Sequence, residues 1–546
     1  MNSSPSRTTQ TFLQKYEFII PLALFIVFLA LTLPGIAWGA PNMWHPDEVV
    51  YISIRSLNDN STDFDASNFN HPHLPIYAML GLGKIVFALG GAKREVLIAA
   101  RVLSTGLAGL TIVLAYYIPR RMGYKIPVSG LSGLLLLSVS EMTHNGRFAH
   151  NDTFVTYFST LTIFFLVLYK TKGHRGWLYA TFYSAGLAIS SKYSAISLAA
   201  VPFIVYLWTI RNVFVKDRLR VLETLFIGGA LVYLGYATGT PKALTWMAFY
   251  MKRLIPALVY NSNYWVLPDS VRGVIGQYAV FRDGVGISLF LLFGLAFLWG
   301  FYKLVASWKS GSAGEEGNRA LLLLLILVID LPIMISYNYP TRFFLPLMPL
   351  FAILGALFIT DMYALAKQKG NPGVQKLVGA GLTIVVALSL ARSVSVMSLF
   401  MNDSRIPASK YIETLPLETS LEYTYYPPSI PKNHFGREYN YPVYFIKSAD
   451  DEVPITKRYE FNVGETGLDK RQTNYLVVDS FTTAKFADPY ICETMQVECD
   501  FFKQLGTGQS NHYKLIAEFS YSLPAYLPQI SISFVNPGIR IYERIK

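Results

Sequence analysis

The sequence predicts a polytopic α-helical membrane protein of about eleven spans carrying a C-terminal soluble domain that is α/β or mostly β. Three observations carry this expectation. Of the 546 residues, 52% are hydrophobic and only 15% are charged, against about 25% charged in an ordinary soluble domain. Apolar runs recur through the first part of the chain. The composition then shifts once, near Arg392. The expected division is a membrane body, residues 1–395, and a soluble domain, residues 396–546, a normal size for one domain.

A helix needs ~20 apolar residues to cross the hydrocarbon core. Candidate spans lie near 18–38, 96–118, 127–143, 153–170, 177–190, 195–210, 222–239, 286–306, 319–337, 343–364 and 374–394. Residues 18–38 outrun the roughly 7–15 residues of a signal h-region, and Ala37-Trp38-Gly39-Ala40 is a poor cleavage site, so the segment reads as a retained first span. The run 74–91 is shorter and contains Lys84 and four glycines.

Orientation follows from the loops. With a cytoplasmic N-terminus and a non-crossing 74–91, the basic loops 119–125, 170–175, 211–220, 303–319 and 367–376 all fall inside. If 74–91 crosses, all of them move outside. The segment therefore reads as surface-lying or re-entrant, with Lys93 and Arg94 left outside. The expected location is the cell membrane, with the soluble tail and the polar loops extracytoplasmic. The net charge of +12 is explained by those loops. No basic motif in the soluble part points to nucleic acid. Cys492 and Cys499 both lie in the tail; a short-loop disulfide and two buried thiols fit equally.

On this threading the unusual polar residues share the outer face. The first loop opens Trp44-His45-Pro46-Asp47-Glu48. A carboxylate here can serve as a general base; it can equally open a helix. The loop ends Asn70-His71-Pro72-His73-Leu74-Pro75. His71 and His73 could join Asp47 on a metal, although the spacing also suits a plain helix start. The second loop, His144 to Asp152, offers Arg147 as a phosphate clamp and Asp152 to orient substrate. The alternative is an Arg147–Asp152 structural pair. Ser190-Ser191-Lys192-Tyr193 interrupts an apolar stretch, and Lys192 is either a phosphate ligand or a snorkelling side chain. Arg342, in Tyr339-Pro340-Thr341-Arg342-Phe343-Phe344, is a second phosphate candidate among interfacial aromatics. Asp330 is an intramembrane charge, functional or packed on a polar partner. The loop 240–285 carries Lys252, Arg253, Tyr260, Tyr264, Trp265, Arg272 and Arg282, which suit a sugar or pyrophosphate-like ligand or an interfacial belt.

Taken in order, Asp47-Glu48 after span 1, His71 to Pro75, Arg101 opening a span, Arg147 and Asp152, Gly186 to Lys192, and Arg342-Phe343-Phe344-Leu345-Pro346-Leu347-Met348-Pro349 resemble the GT-C glycosyltransferases. The branch it is most similar to is the protein O-mannosyltransferase and aminoarabinose-transferase group. The resemblance covers residues 15–395. It implies a polyprenyl or dolichyl phosphate-linked sugar donor and an extracytoplasmic protein, lipid or glycan acceptor. It implies inverting transfer, with Asp47 as base and Glu48 beside it. Asp152 would position the substrates. Lys192 and Arg342, assisted by Arg147, would hold the leaving phosphate, with Tyr193, His71 and His73 as further substrate-binding residues. No metal or other cofactor is implied. The chain departs from the family in having His71-Pro72-His73 where His-Pro-Pro or Lys-Pro-Pro is usual.

In the tail, Tyr475 to Asp479 and Ile530 to Val535 read as strands, and Ile406 to Leu415 as a short amphipathic helix. The rival class is a transporter or flippase for a lipid-linked or small polar substrate. Such proteins keep key charges near the midplane and often show internal repeats, whereas here the charges gather at one face.

Overall fold

The structure, a computed structural model, describes residues 16–58, 69, 71–211, 218–262, 271–310, 316–334, 340–440, 473–494 and 496–545. The chain divides into two compact units. One comprises Met1–Ile36 with Asp47–Met397, the other Ala37–Pro46 with Ser398–Lys546.

The first unit is helical. Its elements are α1 Ile19–Thr32, α2 Val50–Asn58, α3 Leu74–Ala88, α4 Lys93–Arg121, α5 Ile126–Leu137, α6 Ser140–Asn145, α7 Asn151–Lys172, α8 Arg175–Ser191, α9 Ile196–Ile210, α10 Arg218–Gly239, α11 Lys242–Thr245, α12 Met247–Ser262, α13 Val271–Val285, α14 Ile287–Ser310, α15 Glu316–Met334, α16 Met348–Gln368 and α17 Pro372–Met401, with 3-10 turns at Tyr193–Ala195 and Thr341–Leu347. Among the described residues, eight helical stretches are long and apolar enough to cross a membrane, and α1, α3 and α5 are shorter apolar helices. Each expected span contains a helix, which makes this a multi-pass membrane protein.

Two ends differ from expectation for local reasons. α1 stops at Thr32 rather than near residue 38, because Pro34 follows and Gly35 takes a positive φ of 79°. The expected span 127–143 is broken after Leu137 into α5 and the short α6, with Val139 extended. Residues 240–285, expected as a loop, are largely helical in α11, α12 and α13. Proline and polar residues there do not prevent amphipathic helices from forming.

A core of Phe28, Ile112, Leu135, Leu136, Leu166, Phe293, Leu322 and Leu354, among others, binds α1, α4, α5, α7, α14, α15 and α16. Where α8 crosses α10 the backbones nearly touch. A Cβ on Gly186 would lie 2.1 Å from the Val232 carbonyl oxygen, and one on Gly235 2.1 Å from that of Tyr183. Only glycine permits this approach, the small-residue packing on which helices in lipid depend.

Three of the basic loops, 119–125, 170–175 and 303–319, meet at one end of the bundle. Lys170 Nζ, in the last turn of α7, donates to Gly317 O at 2.7 Å and Asn318 Oδ1 at 3.1 Å. Asn318 in turn donates to Met122 O at 3.3 Å. Arg319 pairs with Glu316 at 2.9 Å and Asp361 at 2.8 Å. Asp152 lies in the first turn of the same helix, 18 residues from Lys170 and so about 27 Å away along it. That is roughly the thickness of the hydrocarbon core.

The second unit is an α/β domain. Its sheet order is β2-β1-β3-β5-β4, from β1 Ser420–Tyr423, β2 Arg437–Asn440, β3 Tyr475–Asp479, β4 Tyr513–Phe519 and β5 Ile539–Arg544. β1 pairs in parallel with β2 and β3, while β5 runs antiparallel to β3 and β4. The two-residue period of a strand divides β3 between two cores. Leu476 and Val478 pack with Phe501, Phe502 and Leu505; Tyr475 and Val477 pack with Ala408, Ile412 and Leu421. The expected helix is present as Arg405–Ile412. Ile530 to Val535 is not a strand, because Phe534 and Asn536 take positive φ values of 66° and 60°, incompatible with an extended run. Cys492 and Cys499 are joined in a disulfide.

Candidate functional site

Four elements of the first unit bring their charged residues together. Asp47 sits in a turn three residues before α2. Asp152 opens α7, where the positive end of the helix dipole favours a carboxylate. Lys192 caps α8 in extended conformation, φ −156° and ψ 131°, and so turns away from the helix. Arg342 is the second residue of the 3-10 turn that follows Pro340.

Their geometry is a chain of ion pairs. Arg342 bonds Asp47 Oδ2 at 2.9 Å and approaches Asp152 Oδ2 at 3.4 Å. Lys192 Nζ lies 2.5 Å from Asp152 Oδ1 and 3.8 Å from the centre of the Phe343 ring, a cation–π contact. His150, the N-cap of α7, places Nδ1 2.6 Å from Asp152 Oδ2. Asp152 is buried, while Asp47 and Arg342 remain partly open, with side chains 38% and 24% exposed. One buried carboxylate thus holds Lys192 and Arg342 in fixed positions, and one accessible carboxylate stands against the same guanidinium.

His71 borders this cluster, its ring 6.4 Å from that of His150. Burial holds its pKa down to about 4, assisted by the charges of His150 and Lys192 and opposed by those of Asp47 and Asp152. Tyr193 turns to the Phe69 carbonyl, to which its hydroxyl donates at 3.1 Å. His73 packs its ring against Phe69 at 4.9 Å and Tyr77 at 5.7 Å. Among the described residues, no three histidine, cysteine, aspartate or glutamate side chains are grouped to hold a metal.

Two expected site residues are engaged elsewhere. Glu48 is fully buried and accepts from Arg101 Nε and a terminal nitrogen, both at 2.8 Å, and from the Ala149 N–H at 2.9 Å. Both of its oxygens are committed to structure. Arg147, expected as a phosphate clamp, is buried. Its terminal nitrogens donate to the carbonyls of Leu31 and Pro34, at the C-terminus of α1, where helix carbonyls lack partners. Asp330 accepts from the Tyr278 hydroxyl at 3.4 Å, the polar-partner alternative. Tyr264, Trp265, Tyr337, Asn338 and Tyr339 lie outside the described residues, as do the side chains of Tyr260 and Arg272.

Sequence reasoning assigned no role to His150 or Phe343, which fix Asp152 and Lys192. The signal for His150 was its place two residues before Asp152, at an N-cap. Phe343 gave none, because aromatics at a membrane interface are common.

This architecture is the GT-C fold, a helical membrane bundle with a small appended sheet domain. The family model for dolichyl-phosphate-mannose-protein mannosyltransferase matches residues 91–266, which include Asp152 and Lys192 but neither Asp47 nor Arg342. Among solved structures, the chain is similar to ArnT from Cupriavidus metallidurans, crystallised bound to undecaprenyl phosphate, at 14% identity and a TM-score of 0.51, covering 98% of each chain. It is also similar to the oligosaccharyltransferase of Archaeoglobus fulgidus in the apo form, at 11% identity and a TM-score of 0.51, covering 96% of this chain and 88% of that one. No curated protein matches the sequence.

Proposed function

We propose that the protein is a membrane glycosyltransferase that moves a sugar from a polyprenyl or dolichyl phosphate to an extracytoplasmic protein, lipid or glycan acceptor, with inversion. The observation that carries this reading is the juxtaposition of Asp47, Arg342, Asp152 and Lys192 at the end of the bundle opposite the basic loops. The similar Cupriavidus structure, solved with a polyprenyl phosphate bound, supports the donor class.

The chemistry follows from the charges. A donor phosphate competes with Asp47 for Arg342, so binding frees the Asp47 carboxylate. That carboxylate takes the proton of the acceptor hydroxyl. The hydroxyl oxygen attacks the anomeric carbon as the bond to the phosphate oxygen breaks. The phosphate leaves with the electron pair and is stabilised by Lys192 and Arg342, which are already in place. Asp152 keeps both cations oriented. One displacement inverts the anomeric centre. The positive-inside rule assigns the basic end to the cytoplasm and this site to the outer face.

The test is a pair of variants at normal expression, Asp47→Asn and Arg342→Ala. Near-complete loss of sugar transfer is expected in both, with binding of polyprenyl phosphate kept by Asp47→Asn and weakened by Arg342→Ala. Transfer retained by Asp47→Asn removes the proposed base. Deleting the protein and identifying the polyprenyl-phosphate sugar that accumulates names the donor.

A further inference from the structure

The segment between α10 and α13 has no role in the transfer chemistry proposed above. α10 ends where α8 ends: a Cβ on Gly239 would lie 2.2 Å from Ser190 Oγ, two residues before Lys192. α11 and α12 therefore begin at the end of the bundle that carries the charged cluster. α12 is seated there by one narrow face. Tyr250, Leu254 and Ala257, spaced at helical intervals, are buried and pack with Phe69, Ala237 and Ala243. The Tyr250 hydroxyl is hydrogen-bonded to that of Tyr236 on α10, and the Tyr233 hydroxyl donates to Ala243 O at 2.5 Å.

The remaining surface of this pair of helices is open and largely apolar. Trp246 and Ile255 are 58% and 52% exposed, with Met247, Met251 and Leu258 exposed beside them. Cations are set among these side chains. Arg253 lies over the Phe249 ring at 4.4 Å, and Lys242 stands 6.0 Å from the rings of both Trp246 and Phe249. Lys252 is exposed. From Thr240 to Pro268 the chain has these three cations and no aspartate or glutamate.

α12 is not built to cross a bilayer. Its 16 residues reach about 24 Å, short of the ~30 Å hydrocarbon core. Lys252 and Arg253 fall near its middle, where charge in hydrocarbon is most costly. An amphipathic helix of this make-up lies in the plane of the interface, with its apolar side chains at the acyl boundary and its cations at headgroup level. There an arginine forks onto a phosphate and a lysine meets it as a point charge.

We infer that α11 and α12 form a membrane-surface site for the phosphate headgroups of anionic phospholipids in the leaflet at this end of the bundle. Lys252 and Arg253 lie outside the face that packs on α10, which favours the surrounding leaflet over a donor phosphate at Lys192. The site stands whether or not the transfer reading does.

The experiment uses the full-length protein in phosphatidylcholine bilayers containing phosphatidylglycerol, with bromine on the acyl chains of one lipid or the other. The emission of Trp246 is taken as the difference between the parent and Trp246→Phe. Bromine quenches tryptophan only near contact, so the ratio of quenching by the two lipids reads which headgroup collects at the helix. Each lysine or arginine near an anionic surface strengthens association about fivefold, so brominated phosphatidylglycerol should be preferred by at least that factor. The preference should fall to about one when Lys242→Gln, Lys252→Gln and Arg253→Gln are combined, and in about 1 M salt, where the Debye length is about 3 Å. Quenching by brominated phosphatidylcholine should persist in the triple variant, because its apolar face is intact, and Lys252→Arg should keep the preference. The inference is overturned if the two lipids quench Trp246 equally in the parent, if neither quenches it, or if the preference survives in the triple variant. It is also overturned if one equivalent of polyprenyl phosphate abolishes the preference, which would assign the cations to the donor.

Discussion

Glu48→Gln tests whether the carboxylate beside Asp47 is a reacting group or a structural one. Glu48 and Arg101 are 0% and 1% exposed, and their two hydrogen bonds are both 2.8 Å long. Glutamine keeps the shape and one acceptor, but leaves the Arg101 guanidinium buried without a counter-charge. Breaking such a pair from one side costs about 3–5 kcal/mol. For a unit of roughly 390 residues, that lowers the thermal midpoint by about 4–6 °C. Pairing Glu48→Gln with Arg101→Met removes both charges together, and the double variant should recover at least about 2 kcal/mol relative to the sum of the singles. The assay is thermal unfolding of the purified protein in detergent, with transfer measured per folded molecule. A Glu48→Gln protein that melts like the parent but has lost transfer would refute the reasoning and make Glu48 a reacting group.

Arg147→Met should destabilise the protein by about 2–4 kcal/mol, because the Leu31 and Pro34 carbonyls lose their donor; donor binding per folded molecule should stay within about threefold, and a larger loss would return Arg147 to the phosphate site. His71 supplies a pH dependence. Its folded pKa of about 4 lies below the ordinary 6.5, so between these values the unfolded chain binds a proton that the folded one refuses. Stability is full above 6.5 and falls as the pH drops toward 4, by about 1–2 kcal/mol after allowance for partial exposure. In His71→Asn that part of the slope should vanish from a plot of unfolding midpoint against pH, and an unchanged slope would exclude His71 as its source.

The amino-acid sequence by itself determined the membrane body and an appended soluble domain containing strands, because hydropathy over ~20 residues and strand periodicity are local properties; that the domain is α/β rather than mostly β came with the structure. It also singled out Asp47, Asp152, Lys192 and Arg342, since a charge interrupting apolar sequence stands out without knowledge of its partner. Partnership itself came only with the tertiary structure. Glu48 and Asp47 are neighbours in sequence, yet one is neutralised by Arg101 and the other faces Arg342. Arg147 reads as an anion clamp in sequence, and only the fold shows that its terminal nitrogens donate to the carbonyls at the end of α1. Residues 37–46 followed an apolar helix in sequence but fold with a sheet domain that begins more than 350 residues later. The physical reason is the same in each case: what a buried charge does depends on which groups of opposite polarity folding brings within about 3 Å, and those lie far away along the chain.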